Sequence, residues 1–153
     1  MTVSTSLFWQ SYIRENNMPE IAVPEAWQFG DGTKAMGDEL SALVVAGRKT
    51  ATCSAYELYA LEGERLPVVG QFDIVLNGDD EPVAIIETTK VEVKKMSDVT
   101  PEFSYAEGEG DLTHGYWYRV HEQFFTILLH HYNRPFSADI LLICQYFKVV
   151  KIA

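Results

Sequence analysis

No run of apolar residues approaches the roughly 20 that a membrane-spanning helix needs, and 153 residues hold only two cysteines, Cys53 and Cys144. The first absence argues against a membrane protein. The second leaves neither a disulfide framework nor a Cys/His metal spacing, so both thiols are expected to be free. Basic residues are scarce as well: 12 Lys and Arg stand against 22 Asp and Glu, a formal charge of −10. A surface of that sign repels a phosphate backbone, which argues against long-range binding of DNA or extended RNA. It leaves a local RNA contact, or a small and mostly neutral ligand such as a nucleoside. The first nine residues carry no basic segment ahead of their apolar ones, and Arg14, Glu15 and Asn16 follow soon after. That is unlike a secretory signal, so a cytoplasmic location is expected.

Catalytic signatures are missing too. There is no nucleophile elbow, no phosphate-binding glycine loop and no dinucleotide fingerprint, so no nucleotide cofactor is expected. The histidines match no HExxH frame: His130 and His131 are adjacent, and His114 and His121 lie two helical turns, about 10 Å of rise, apart. No metal site is expected from them. Cys53 reads as a packing residue at a helix start, with a nucleophile beside His121 as the lesser alternative. Repeats and low-complexity linkers are also absent, and the length suits one core, so residues 1–153 are expected to form a single domain.

What the chain does have is clear periodicity. Val3, Leu7, Trp9, Tyr12 and Ile13 mark an amphipathic helix over residues 3–15, ended by Asn16 and Asn17. Prolines and glycines make 18–32 connecting chain, with a turn of helix over 25–28 and with Trp27 and Phe29 as loop anchors. Met36, Leu40, Leu43 and Val44 predict a helix over 33–48 capped by Thr33 or Asp38, and Tyr56, Leu58, Tyr59 and Leu61 predict another ending near Gly63. Residues 72–76 and 83–93, joined by the turn-rich 77–82, read as a hairpin whose long second strand suits a bent barrel. A short helix follows near Pro101, then a glycine-broken acidic loop over 105–111. A strong helix runs from 112 to 131 with Thr113 as its cap, and one or two closing strands span 140–152.

The octet Gly47-Arg48-Lys49-Thr50-Ala51-Thr52-Cys53-Ser54 interrupts two helical runs. Lys49 and Thr52, three apart, would share a helix face, so that an amine and a hydroxyl converge on one ligand. In the acidic loop Glu107-Gly108-Glu109-Gly110-Asp111 two glycines let backbone approach a ligand closely while presenting Glu109. Trp117 and His121, at i and i+4, either form a half-buried helix face packed on the barrel or line one wall of a pocket.

These residues resemble the Gly-x-Lys-x-x-Thr signature of the ASCH domain family, named for its homology to the activating signal cointegrator. The resemblance extends through Trp27-Gln28-Phe29-Gly30-Asp31, Leu66-Pro67-Val68-Val69-Gly70, the acidic loop, Tyr116-Trp117 and His121, and so covers about residues 27–150. It implies an α+β, PUA-like fold, a small β-barrel with helices around it, and a cleft bordered by the Lys/Thr motif that takes a nucleoside, nucleotide or RNA element. One small branch of the family removes the acetyl group of N4-acetylcytidine; by motif its catalytic lysine, threonine and glutamate fall on Lys49, Thr52 and Glu109. Ser54 stands where some members carry a basic residue, which weakens the case for binding phosphate. A noncatalytic RNA-binding module, with Lys49, Thr52 and Ser54 only hydrogen-bonding a base or sugar, is the alternative, and a ribonuclease a further one.

In the amidohydrolase reading a neutral Lys49 takes the Thr52 proton, Thr52 attacks the acyl carbon, and Glu109 assists the leaving amine. A lysine ordinarily titrates near 10.4, so half-neutrality near pH 7 needs roughly 4 kcal/mol of destabilisation of the ammonium. Burial can supply that; an ionised Glu109 beside it works against it.

Overall fold

The computed structural model describes residues 3–153, with the side chain of Val3 outside the description; Met1 and Thr2, at the start of the segment read for a leader, also lie outside it. Five strands form one mixed sheet in the order β1-β3-β4-β5-β2. The sheet curls into a half-barrel with five helices around it, the α+β architecture expected. Its spine is the pairing of two long strands, β4 (Pro82–Lys95) and β5 (Leu141–Ile152). Register shifts in that ladder at Ile85/Ile86 and Thr88/Lys90 mark bulges. Each extra residue bends the strand and increases its twist, which lets a 14-residue strand curl instead of running flat. Residues 140–152 thus supply one closing strand.

The hairpin is as expected: β3 (Phe72–Leu76) pairs antiparallel with β4 through the 77–81 turn. The helical turn expected over 25–28 is instead the three-residue strand β1 (Ala26–Gln28), parallel to β3 with Trp27 opposite Val75. An available sheet edge outweighs local propensity in so short a segment. The first helix, α1 (Val3–Glu15), lays Trp9, Tyr12 and Ile13 on Ile74 and Ile85 of this end of the sheet, and the Trp9 indole donates to the Ile21 carbonyl. The second, α2 (Lys34–Val45), is capped by Thr33, whose hydroxyl accepts from the Met36 amide. It packs Leu40 and Val44 against Val75, Ile86 and Phe147.

The third cluster holds the elements that build the site. Helix α3 (Tyr56–Glu62) ends on left-handed Gly63, as its sequence predicts. Helix α4 (Pro101–Glu107) extends further than expected, so Glu107 is its last residue and not part of a loop. Helix α5 (His114–His130) is capped by Thr113 and buries Trp117, Phe125 and Leu129, whereas Ile127 faces solvent. The octet does not bridge two helices on one face: Lys49 lies in the loop after α2, and Thr52 to Ser54 belong to strand β2 (Ala51–Ala55), antiparallel to β5. β2 borrows its hydrogen bonds from β5, and that partner outweighs any continuation of helix.

Candidate functional site

The C-terminal end of α2 delivers Lys49. Gly47 takes a left-handed φ of 76°, and the amides of Arg48 and Lys49 both turn back to the Leu43 carbonyl, at 3.0 and 3.1 Å. The end of α4 meets this turn at Gly108, also left-handed, where a Cβ would stand only 2.4 Å from the Arg48 carbonyl oxygen. Only glycine fits that approach. Because α4 stops and reverses there, Glu107 and Glu109 fall on either side of the Lys49 ammonium. Thr50 locks the junction, its amide donating to the Ala106 carbonyl and its own carbonyl accepting from the Phe147 amide.

The lysine is 1% exposed. Its Nζ donates to Glu107 Oε1 at 2.9 Å, to Glu109 Oε2 at 2.8 Å and to the Glu107 backbone carbonyl at 3.3 Å. Those three acceptors use all three ammonium hydrogens. The Phe29 ring lies 5.3 Å beneath the same cation. Burial by itself would lower the Lys49 pKa, but the two carboxylates outweigh it and the ammonium is held above its ordinary 10.5. That balance favours the ammonium and works against the neutral base expected from sequence.

Glu107, which sequence reasoning did not single out, is the hub. Burial pushes its carboxyl up, yet Lys49, His121 and the Trp117 indole together hold it below its ordinary value. Its Oε2 accepts from Trp117 Nε1 at 2.6 Å and from the Cys53 thiol at 3.2 Å, and lies 3.4 Å from His121 Nε2. The sequence reading places it in a loop, so a signal for it emerges only with the end of α4. An acidic side chain at the last position of a helix opposes the dipole, so Glu107 needs a cation to settle it there. Trp117 and His121 stack with centroids 4.5 Å apart, but Trp117 is buried behind Glu107 and forms no wall of the cleft. His121 does face a recess beside the cluster.

Two connected spaces adjoin this cluster. A recess of about 70 Å³ is lined by Lys49, Thr52, Cys53, Glu107, Glu109 and His121, with Phe29 and Phe124 among its apolar walls. Sharing Phe29, Gly30, Thr52, Cys53 and Phe124 with it is a cleft of about 390 Å³, lined further by Trp27, Ser54, Tyr59, Arg65, Asp73 and Gln145. That volume lies within the ~300–1,000 Å³ typical of small-molecule sites. The structure therefore brings Lys49, Thr52 and Glu109 to one recess, although no side-chain hydrogen bond joins Thr52 to Lys49 among the described residues. Ser54 faces the larger cleft, its hydroxyl 2.6 Å from that of Tyr59. Trp27 and Phe29, read from sequence as loop anchors, are cleft walls.

The cleft is acidic. Glu25, Glu62, Glu64 and Asp73 line it against Arg65 alone. Asp73 is buried and accepts from Trp27 Nε1 and Gln71 Nε2. Burial raises its pKa in spite of those two donors. Cys53 is a poor nucleophile as it stands, since burial and the neighbouring Glu107 push its thiol well above the ordinary range.

A family model described as the ASCH domain matches residues 25–151. Among solved structures, a protein of Enterococcus faecalis V583 placed in family DUF984 is similar at 45% identity, covering 99% of this chain and 91% of that one with a TM-score of 0.92. An ASCH domain from Lactobacillus crispatus JV V101 is 30% identical, covering 98% of this chain and 96% of that one, with a TM-score of 0.89. No functionally curated protein matches the chain. Among the described residues no helix is long and apolar enough to cross a membrane.

Proposed function

The chain belongs to the ASCH domain family, and from that premise we propose that its cleft takes an uncharged acylated nucleoside of the N4-acetylcytidine kind and hydrolyses the exocyclic amide. The family is associated with RNA binding and hydrolase-like activity, and the acidic lining selects between these. A phosphodiester would meet four carboxylates and one guanidinium in the cleft, whereas a neutral nucleoside is not repelled and finds the rings of Trp27, Phe29, Tyr59 and Phe124 for its base.

The observation that carries the reading is the pairing of Lys49 with Glu109 at 2.8 Å on the wall of the recess that Thr52 also lines. Glu109 uses Oε2 for the lysine and keeps Oε1 for a proton. In the proposed reaction Glu109 accepts the Thr52 hydroxyl proton and Thr52 oxygen attacks the acyl carbon. Glu109 then returns the proton to the departing amine, leaving a threonyl ester. Water, deprotonated by the same carboxylate, cleaves the ester, freeing the acid and the hydroxyl. Lys49, fully engaged and charged, is a positioning residue: it fixes Glu109 and offsets the charge that burial would otherwise penalise.

The test is incubation with N4-acetylcytidine and detection of cytidine and acetate. Wild type should release both, and Thr52→Ala or Glu109→Gln should lose about 10²–10⁴ in rate. No release by wild type, or equal release by Thr52→Ala, sinks the proposal. Labelled single-stranded RNA, titrated at low and moderate salt, should show no useful affinity at either; tight binding would favour the noncatalytic module.

A further inference from the structure

We infer that Cys53, Glu107 and His121 form a binding site for a borderline-soft divalent metal ion of the Zn²⁺ class. The ligand atoms of these three side chains lie within 4.8 Å of one another. Thiolate, carboxylate and imidazole are the donor set that zinc takes, and three protein ligands with one open position is its catalytic arrangement.

Three features single this cluster out from an ordinary polar network. First, the His121 ring is already oriented. Its Nδ1 sits 2.8 Å from the Trp117 carbonyl, which can only accept, so the ring hydrogen is on Nδ1 and the Nε2 lone pair points into the cluster. A ligating histidine held by a backbone carbonyl through its other nitrogen is the usual outer-shell arrangement. Second, that lone pair faces Glu107 Oε2 at 3.4 Å. With a neutral ring two acceptors face each other, and either a second ring proton or a metal ion between them relieves this; the separation exceeds the ~2.7–2.9 Å of a charge-assisted hydrogen bond, which favours the larger cation. A tetrahedron built on bonds of about 2.05 Å to nitrogen and oxygen has an edge of about 3.3 Å, and one of about 3.6 Å between oxygen and a sulfur bonded at about 2.3 Å. The observed distances are 3.4 Å for nitrogen to oxygen and 3.2 Å for sulfur to oxygen. The sulfur-to-nitrogen edge lies within 4.8 Å, and movement of the Cys53 side chain toward His121 would close the tetrahedron.

Third, the charges balance. The carboxylate is held on both oxygens, by Lys49 on Oε1 and by the Trp117 indole on Oε2. One ammonium against the carboxylates of Glu107 and Glu109 and a Cys53 thiolate leaves two negative charges, the complement of a divalent ion. Binding therefore displaces the thiol proton to solvent, and the metal takes its place on sulfur; a coordinating thiol is deprotonated however high its pKa stands without the ion. The fourth position opens into the recess of about 70 Å³, which has room for a water ligand. Thr52 and Glu109 lie outside the donor set, so the metal site stands or falls independently of the amide hydrolysis proposed above.

The probe is Co²⁺ added to chelator-treated full-length protein, followed by competition with Zn²⁺. One equivalent should give a thiolate-to-cobalt charge-transfer band and the intense visible bands of four-coordination, both bleached by Zn²⁺. The band reports sulfur ligation in the wild-type protein without any substitution. Cys53→Ser should abolish it and weaken Zn²⁺ by more than about 100-fold. Trp117→Phe, which loses an outer partner only, should weaken Zn²⁺ by about 10–100-fold. Cys144→Ser, which alters the thiol facing Cys53 across the β2–β5 ladder, should keep the band. No binding, a weak octahedral spectrum from surface carboxylates, or a band that survives Cys53→Ser and vanishes in Cys144→Ser would each overturn the assignment.

Discussion

Replacing Lys49 by Met keeps its length and removes its charge, leaving the Glu107 carboxylate, 1% exposed, without its cation. Breaking one side of a buried ion pair costs about 3–5 kcal/mol. Glu107 retains its hydrogen bonds from Trp117 and Cys53, so the low end, about 3 kcal/mol, is expected. In a domain of this size that lowers Tm by roughly 6–12 °C. Urea unfolding with a chelator present, to keep metal out of the comparison, gives the number. The sign of the pH dependence is the sharper readout. In wild type the Glu107 pKa is depressed below its ordinary 4.5, so the stability it contributes is complete above pH 4.5 and is lost as pH falls through the folded value. In Lys49→Met, burial without the ammonium raises the same carboxyl above 4.5, and stability should instead rise as pH falls toward that value. Adding Glu107→Gln should restore part of the loss and flatten the slope, because only Glu109, 14% exposed, is then left without its cation. A Lys49→Met protein within about 0.5 kcal/mol of wild type, or one with the wild-type slope, refutes the buried clamp.

Two further predictions concern how the site is built. Gly108→Ala places a Cβ against the Arg48 carbonyl at a left-handed φ of 74°; it should cost about 2–3 kcal/mol in urea unfolding and reduce turnover by separating Glu107 and Glu109 from Lys49. Asp73, whose pKa is raised from its ordinary 3.8 by burial, opposes folding once ionised, so wild-type stability should decline as pH rises through its folded value. Asp73→Asn should remove that decline in a pH series of unfolding midpoints and should weaken the discrimination against nucleoside phosphates in a binding assay.

How much of this was legible in the sequence depends on whether a residue's neighbours in space are also its neighbours in the chain. The helices α1, α2, α3 and α5 were readable because periodicity, Thr33, Thr113 and Gly63 are local signals. The β3–β4 hairpin was readable for the same reason. The strand β1 was not, since three residues around Trp27 become a strand only because β3 offers an edge. The octet was misread as helical because β2 takes its form from β5, about ninety residues later in the chain. The α+β, PUA-like class came from family resemblance, and the curl itself lies in bulges that no pattern of side chains announces.

At the site, Lys49, Thr52 and Glu109 were drawn from a motif, and the structure places all three on one recess by a route the motif does not describe. Glu107 went unread because the chain beside Gly108 looks like a flexible acidic loop. Its role appears only once α4 is seen to end there against Arg48. The donor set of Cys53, Glu107 and His121 comes from three separate elements with no common spacing, so the absence of a metal motif in the sequence carried no information about it.

The account turns on Lys49 being a charged positioning residue, with Glu109 as the group that moves the proton. Its most direct test is heteronuclear NMR of lysine side chains, with Lys49 assigned by comparison with Lys49→Met and its Nζ followed from pH 6 upward. An ammonium that persists beyond the ordinary 10.5, with slow hydrogen exchange from its three acceptors, is the predicted result. A Lys49 that loses its proton near neutral pH would contradict the clamp and return the general-base role to the lysine.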